Sequence, residues 1–116
     1  MERHFEMCGQ LIRIVEDHGD LEETGNTGAM IWDAGLVLHK YLLANFQKGD
    51  WMGKKVLELG SGTGVVGLVA AVLGGRVTLT DLQDKIEIAE LNVTNNSEYY
   101  DSIPAVMPLG ALLPLL

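Results

Sequence analysis

Residues 56–64 read Val-Leu-Glu-Leu-Gly-Ser-Gly-Thr-Gly, and this stretch decides the fold. An apolar run that enters closely spaced glycines is typical of a strand ending in a tight loop, and the apolar segment Val65–Leu73 predicts the helix that follows. From Arg76 to Leu82, apolar side chains alternate with threonines, which predicts a second strand with Asp81 near its end. The sequence thus predicts a glycine loop and a carboxylate at the same edge of a sheet.

The segments before the glycine loop predict a hairpin and a helix. Two short runs, Phe5–Cys8 and Leu11–Val15, flank Gly9-Gln10 as strands flank a turn. From Ala29 to Ala44, apolar residues recur three or four positions apart, which predicts an amphipathic helix. The predicted apolar stripe comprises Ile31, Ala34, Leu38, Tyr41 and Leu42.

The order of the central elements predicts a parallel sheet. Lys55–Leu59 is apolar apart from Glu58, as expected of a strand covered by helices on both faces. Asp84–Asn95 predicts a second helix, and Ile103–Val106 can begin one more strand. We therefore predict an α/β fold: the N-terminal half of a Rossmann-like parallel sheet with flanking helices, preceded by a short β-hairpin.

Charge and composition exclude several classes of partner. The net charge is −8 and the eight basic residues are scattered, so we expect neither a nucleic-acid nor a membrane partner. One cysteine, Cys8, fits a reducing compartment, and no leader segment is expected. The expected location is the cytoplasm, with the nucleus as a further candidate. The three histidines are isolated along the chain, and we expect no metal site.

The loop and its aspartate predict a nucleotide-type ligand. Gly60, Gly62 and Gly64 permit positive φ angles and let the backbone approach a ligand without interference from a Cβ atom. The start of the following helix presents free N–H groups and positive partial charge. Asp81 stands nineteen residues after Gly62, where a carboxylate can accept both hydroxyls of a ribose.

Two cofactors compete for this loop. Residues 62–67 also satisfy the G-x-G-x-x-G pattern of dinucleotide sites, so a nicotinamide enzyme is a rival hypothesis. Glu58 favours the other reading, because a carboxylate there would repel a pyrophosphate and suit an ammonium and a sulfonium. S-adenosyl-L-methionine carries both cations and no phosphate, and it is the cofactor that we predict.

Three motifs carry a resemblance to a known family over roughly residues 5–96. Val56–Gly64 resembles motif I of the seven-strand (class I) S-adenosylmethionine-dependent methyltransferases, and Leu79–Leu82 resembles their acidic loop after strand two. Ile31–Ala34 reads Ile-Trp-Asp-Ala and opens a predicted helix. This element is similar to the methyltransferase-like protein-lysine methyltransferases, the family of the valosin-containing-protein lysine methyltransferase and its relatives.

The resemblance implies both a cofactor site and a reaction. Its cofactor contacts map onto Trp32, Gly60, Ser61, Gly62 and Asp81, to which the loop chemistry above adds Glu58 and Gly64. It implies transfer of methyl groups to a lysine side chain of a protein substrate: a chaperone, an AAA ATPase or an elongation factor. It identifies no catalytic residue in this chain.

Part of the family's pattern has no counterpart here. Residues 1–28 are interpreted as the hairpin and a loop, and 29–96 as a partial S-adenosylmethionine-binding domain. Residues 97–116 form an atypical apolar tail, which matches neither the family's tryptophan after strand three nor its Asp-x-x-Tyr motif after strand four. A truncated, non-catalytic remnant or a partner-binding fragment is therefore the alternative hypothesis.

Overall fold

The computed structural model describes residues 1–17 and 30–115. The predicted loop spans 17–28, and its residues 18–28 lie outside the described residues, as does Ala29, the predicted first residue of the long helix. In chain order the elements are β1 (Glu2–Met7), β2 (Gln10–Val15), α1 (Asp33–Asn45), β3 (Lys55–Leu59), α2 (Val65–Val72), β4 (Arg76–Asp81), α3 (Ile86–Asn95), β5 (Ala105–Pro108) and α4 (Leu109–Leu112), with 3₁₀ turns at Ser97–Tyr99 and Leu113–Leu115.

The predicted N-terminal hairpin is confirmed, but the predicted turn at Gly9-Gln10 is wrong by one residue, because Gln10 pairs with Met7 and the turn is Cys8-Gly9. Strands β1 and β2 pair antiparallel, with Glu2 opposite Val15 and Met7 opposite Gln10. The two turn residues, Cys8 and Gly9, both have positive φ angles, as the tight primed hairpin turns require. One face of the hairpin is buried in the core through Met7, Ile12 and Ile14.

Helix α1 differs from its prediction in start and in buried face. It begins at Asp33, because Trp32 adopts an extended conformation (φ −74°, ψ 159°). Its buried residues are His39 and Leu42, while Leu38 and Tyr41 of the predicted stripe are exposed. The His39 ring meets the ring of Phe5 edge-on, with centroids 5.0 Å apart, and burial lowers the pKa of this imidazole.

The central sheet is parallel, in the strand order β3–β4–β5, which confirms the predicted α/β architecture. Helices α2 and α3 lie on the same face of the sheet. A Cβ atom at Gly67 of α2 would overlap Leu79 of β4, and one at Gly64 would meet both Leu79 and Ala89 of α3. Leu79 is fully buried beneath the two helices.

The other face of the sheet is open near β3, which contradicts the prediction that this strand is covered on both faces. Leu57 and Leu59 point away from α2 and are 47% and 65% exposed. Short helix α4 places Leu112 over the same face, where it lines a groove of about 470 Å³ with Leu57 and Thr78. Within residues 1–17 and 30–115, no helix is long and apolar enough to cross a lipid bilayer.

Close packing of α2 on β4 generates a stability prediction. We expect Gly67→Ala to lower the free energy of unfolding by roughly 1–3 kcal/mol, because its Cβ would overlap the buried Leu79 side chain. Urea denaturation followed by circular dichroism measures this change.

The matched control is Gly35→Ala, a helical glycine in α1. Its Cβ would meet nothing closer than Ile31 Cγ2 at 3.7 Å, an ordinary contact. The gain in helix propensity should then raise stability by about 0.5–1 kcal/mol. Equal effects of the two substitutions would contradict the packing described for α2.

Candidate functional site

The glycine loop lies at the carboxyl end of β3 and at the start of α2. Gly60, Gly62 and Gly64 have φ angles of 67°, 54° and 91°, which are left-handed values that favour glycine. A Cβ atom at Gly60 or Gly62 would meet nothing within 4 Å, so both glycines border open space. Backbone bonds fix the loop at Ser61, whose N–H donates to the Thr80 carbonyl at 2.9 Å.

Asp81 ties the glycine loop to the end of β4. The Gly62 N–H donates to Asp81 Oδ2 at 2.9 Å, and the Leu82 N–H donates to Oδ1 at 2.7 Å. An ionised carboxylate offers about four lone-pair sites, so each oxygen can accept one more hydrogen bond. The structure therefore brings together Asp81 and the predicted loop glycines, and the carboxylate keeps acceptor capacity for a ligand's hydroxyl groups.

Two polar atoms of the loop region are buried and unpaired. Ser61 Oγ has no hydrogen-bond partner, and Glu58 Oε1 makes no hydrogen bond of good geometry. Glu58 lies on the helix-covered face of the sheet, under the first turn of α2 near Gly67. Buried polar groups are normally satisfied, so unpaired atoms beside an open loop are a reason to expect a ligand there.

The electrostatics of Glu58 differ from those of an exposed glutamate. Burial raises the pKa of Glu58 to about 7, the negative charge of Asp81 adds to this increase, and the Gly67 backbone N–H opposes it. Near neutral pH the group is therefore partly protonated. A cation that binds beside it would favour the carboxylate and release the proton.

Trp32 is the extended residue immediately before α1. Gly35, one turn later, packs near Val66 in the first turn of α2. The indole is 63% exposed, so it is not the core tryptophan that an amphipathic helix would otherwise suggest. Buried Glu16 holds this segment through Oε2, which accepts the Ile31 N–H at 2.9 Å.

Sequence reasoning missed two asparagines, Asn92 in α3 and Asn96 directly after the end of that helix. Asn92 and Asn96 are fully buried. Residues 92–94 and 95–97 match the pattern of glycosylation acceptors, which in this sequence predicts an exposed helix end, and that prediction is wrong for Asn92. Asn92 Nδ2 donates to the Thr63 carbonyl of the glycine loop at 2.9 Å and to the Val15 carbonyl of β2 at 3.0 Å. Their four-residue spacing on one helix is the sequence signal that could have indicated a shared buried face.

Taken together, the loop suits a nucleoside ligand with free sugar hydroxyls and a cationic group. The open space at Gly60 and Gly62 admits close backbone approach, Asp81 can accept hydroxyls, and Ser61 Oγ is available for a further hydrogen bond. In the described part of the chain, no three His, Cys, Asp or Glu side chains cluster as a metal ion would need.

Comparison with known proteins identifies the class and then the family. The fold resembles the crystal structure of SMU.776, described as a methyltransferase complexed with SAH, with a TM-score of 0.58 at 18% sequence identity. The match covers 98% of this chain and 28% of that one. The fold is thus that of a methyltransferase. A family model described as lysine methyltransferase matches residues 10–109, and the chain belongs to this family.

Curated relatives are similar over most of this chain. EEF1A lysine methyltransferase 3 of Xenopus tropicalis is 44% identical over 97 residues, which cover 82% of this chain and 40% of the relative. Protein N-lysine methyltransferase METTL21A of Danio rerio is 41% identical over 92 residues, covering 79% and 39%. The chain therefore spans about two fifths of the length of these relatives.

The raised pKa of Glu58 predicts a pH-dependent stability. Because the pKa rises from 4.5 to about 7 on folding, the protonated group stabilises the folded state fully below pH 4.5, and this contribution is lost as the pH rises through 7. Between pH 5 and 8 this group should lower the free energy of unfolding by at most about 3 kcal/mol. We expect the decrease to be absent in Glu58→Gln, because the glutamine side chain stays neutral.

Urea denaturation at pH 5 and pH 8 measures the effect as the difference between the variant and the unmodified chain. Glu90→Gln, at an exposed position of α3, is the control and should leave the pH dependence unchanged. If the free energy of unfolding of Glu58→Gln changed with pH as much as that of the unmodified chain, the raised pKa of Glu58 would be refuted.

Proposed function

We propose that the chain binds S-adenosyl-L-methionine and serves methyl transfer to a lysine side chain of a protein substrate. The observation that carries this proposal is the glycine loop at 60–64 with its left-handed backbone, closed by the Asp81 carboxylate. Membership of the lysine methyltransferase family supports the reaction. The SAH complex of the structural neighbour supports the cofactor.

Each site residue has a proposed role in holding the cofactor. Asp81 would accept hydrogen bonds from the ribose hydroxyls through the lone pairs that Gly62 and Leu82 leave free. Gly60 and Gly62 would admit close approach of the amino-acid portion, and Ser61 Oγ would provide a polar contact there. Burial next to Asp81 and a raised pKa let Glu58 respond to the ammonium group by giving up its proton.

Trp32 would cover the cofactor with an aromatic face. A ring face attracts a cation through its quadrupole, which favours the sulfonium over neutral thioether compounds. When bound, S-adenosyl-L-methionine supplies an electrophilic methyl group. The contribution of this chain is to orient that group and to exclude water, since a lysine attacks only as the neutral amine and along one line.

The names of the relatives suggest the substrate class. One relative is a lysine methyltransferase of EEF1A, so we propose an elongation factor as the first candidate substrate, with chaperones and AAA ATPases as further candidates. The net charge of −8 suits a basic, lysine-bearing protein segment and disfavours nucleic acid. We propose the cytoplasm as the site of action, with the nucleus as a further candidate.

Isothermal titration with S-adenosylhomocysteine tests the cofactor proposal. We expect binding to the unmodified chain and at least a roughly tenfold higher Kd for Asp81→Asn, because the amide presents an N–H₂ group where the loop needs an acceptor. Asp84→Asn, three residues later and exposed, is the matched control and should bind normally. Tight binding of NADH in place of S-adenosylhomocysteine would favour the nicotinamide reading and reject this one.

The open face of the sheet favours a second candidate function, a non-catalytic fragment that needs a partner. Leu57 and Leu59 leave apolar surface on β3, and in the described residues β3 pairs with β4 along one edge alone. An unpaired strand edge is a template for pairing with another polypeptide, and an uncovered apolar sheet face is stabilised by a covering element. The chain also covers only about two fifths of the length of these relatives. We therefore identify none of its residues as the surface that aligns a lysine.

Thermal unfolding distinguishes the two candidates. A single buried cluster joins the hairpin, the helices and the sheet, so the first candidate predicts one cooperative transition in far-UV circular dichroism. The second candidate predicts a gradual loss of signal in the isolated chain. A cooperative transition in a sample that light scattering shows to be monomeric would exclude the partner-dependent candidate.

A further inference from the structure

The amides of Asn92 and Asn96 act on β2 in the same way. Asn92 Oδ1 accepts the Val15 N–H at 2.7 Å while its Nδ2 donates to the Val15 carbonyl, and Asn96 makes the same pair of bonds with Arg13. Arg13 and Val15 are two positions apart, on the edge of β2 that faces away from β1. The two side chains thus pair with the backbone N–H and C=O groups on this edge of β2, as a neighbouring strand would.

The two asparagines differ in their third hydrogen bond. Asn96 Nδ2 donates to the Asn92 carbonyl of its own helix at 2.8 Å. Asn92 Nδ2 donates instead to the Thr63 carbonyl, at 2.9 Å and in a buried environment. Thr63 stands between Gly62 and Gly64, whose positive φ angles define the loop. Asn92 is therefore a direct link between the hairpin and the cofactor loop.

We propose that Asn92 is a positioning residue for the cofactor site: its amide fixes the Thr63 peptide and makes the conformation of the glycine loop depend on the N-terminal hairpin. This inference rests on the proposed function, because the site it positions is the proposed S-adenosylmethionine site. Asn92 itself is buried behind the loop and does not line the open space at Gly60 and Gly62.

Asn92 can have this effect because the peptides of the glycine loop can rotate easily. Asp81 fixes Gly62 from the β4 side. The peptide between Thr63 and Gly64 is held at its N–H by the Ser61 carbonyl, at 2.8 Å, and at its carbonyl by Asn92. Glycines on both sides of Thr63 offer little resistance to rotation of their peptides. Without the amide donor, the Thr63 carbonyl would be buried and unpaired, and rotation toward water would relieve that cost. Such a rotation redirects the N–H groups at the start of α2.

The experiment compares Asn92→Asp with Asn96→Asp. Each substitution keeps one acceptor for β2 and removes two donated bonds, so the two variants are matched in chemistry, in burial and in their effect on the hairpin. The first readout is hydrogen exchange in the free chain, measured by mass spectrometry on peptides that cover residues 57–68. We expect faster exchange there in Asn92→Asp and little change in Asn96→Asp.

The second readout is the Kd for S-adenosylhomocysteine. We expect Asn92→Asp to raise it about tenfold and Asn96→Asp to change it less than about twofold. Equal changes in both variants would overturn the inference, because attachment of the hairpin alone would then explain the loss. If Asn92→Asp does not fold, Asn92→Ser and Asn96→Ser give the same comparison with smaller, uncharged side chains.

The two proposals fail separately in this design. An unmodified chain that does not bind S-adenosylhomocysteine refutes the proposed function, and the exchange comparison still decides whether Asn92 holds the loop. An unmodified chain that binds, together with an Asn92→Asp variant of unchanged affinity and unchanged exchange, refutes the positioning role alone.

Discussion

The hydrogen bond from the Gly62 N–H to the Asp81 carboxylate is the constraint on which the site depends. It joins the loop after β3 to the end of β4, so the two strand ends and the loop form one unit. Gly62 makes this bond with a left-handed φ, a conformation that glycine adopts without a Cβ penalty. Asp81 therefore has a structural task before any ligand binds, and it presents its remaining acceptors from a fixed position.

Buried polar side chains hold the second layer of the site. Glu16 fixes the residue before Trp32, and Asn92 fixes the loop at Thr63; both are anchored to the N-terminal hairpin. Groups of this kind are costly to bury unless they are hydrogen-bonded, as Glu16 and Asn92 are here. Their partners lie 15 and 29 positions away along the chain. Local patterns do not identify such distant partners, so the sequence around Asn92 gives no indication of its bond to Thr63.

The elements that could be predicted are those whose pattern is local. The bounds of β3 agree with the prediction, and α2 ends one residue earlier than predicted, because continuous apolar runs bounded by glycines leave few alternatives. The buried face of α1 could not be predicted: His39 is buried against Phe5 of the hairpin, while apolar Tyr41 is exposed. Amphipathic periodicity identifies a helix, but the elements that pack against the helix decide which of its faces is buried. The exposure of Leu57 and Leu59 likewise depends on what covers the sheet, not on the strand itself.

The sheet is covered by helices on one face and is partly open on the other, and this difference separates cofactor binding from alignment of the substrate lysine. The residues proposed to hold the cofactor are supported by α2, α3 and the hairpin, all of which are present and share one core. Alignment of a substrate lysine requires a further surface, and none of these elements has been identified as that surface. Binding of a cofactor requires only a loop of suitable geometry, whereas catalysis also requires the attacking amine at a defined distance and angle. The proposed cofactor affinity and the proposed turnover can therefore be tested separately, since the loop that would serve the first does not by itself supply the second.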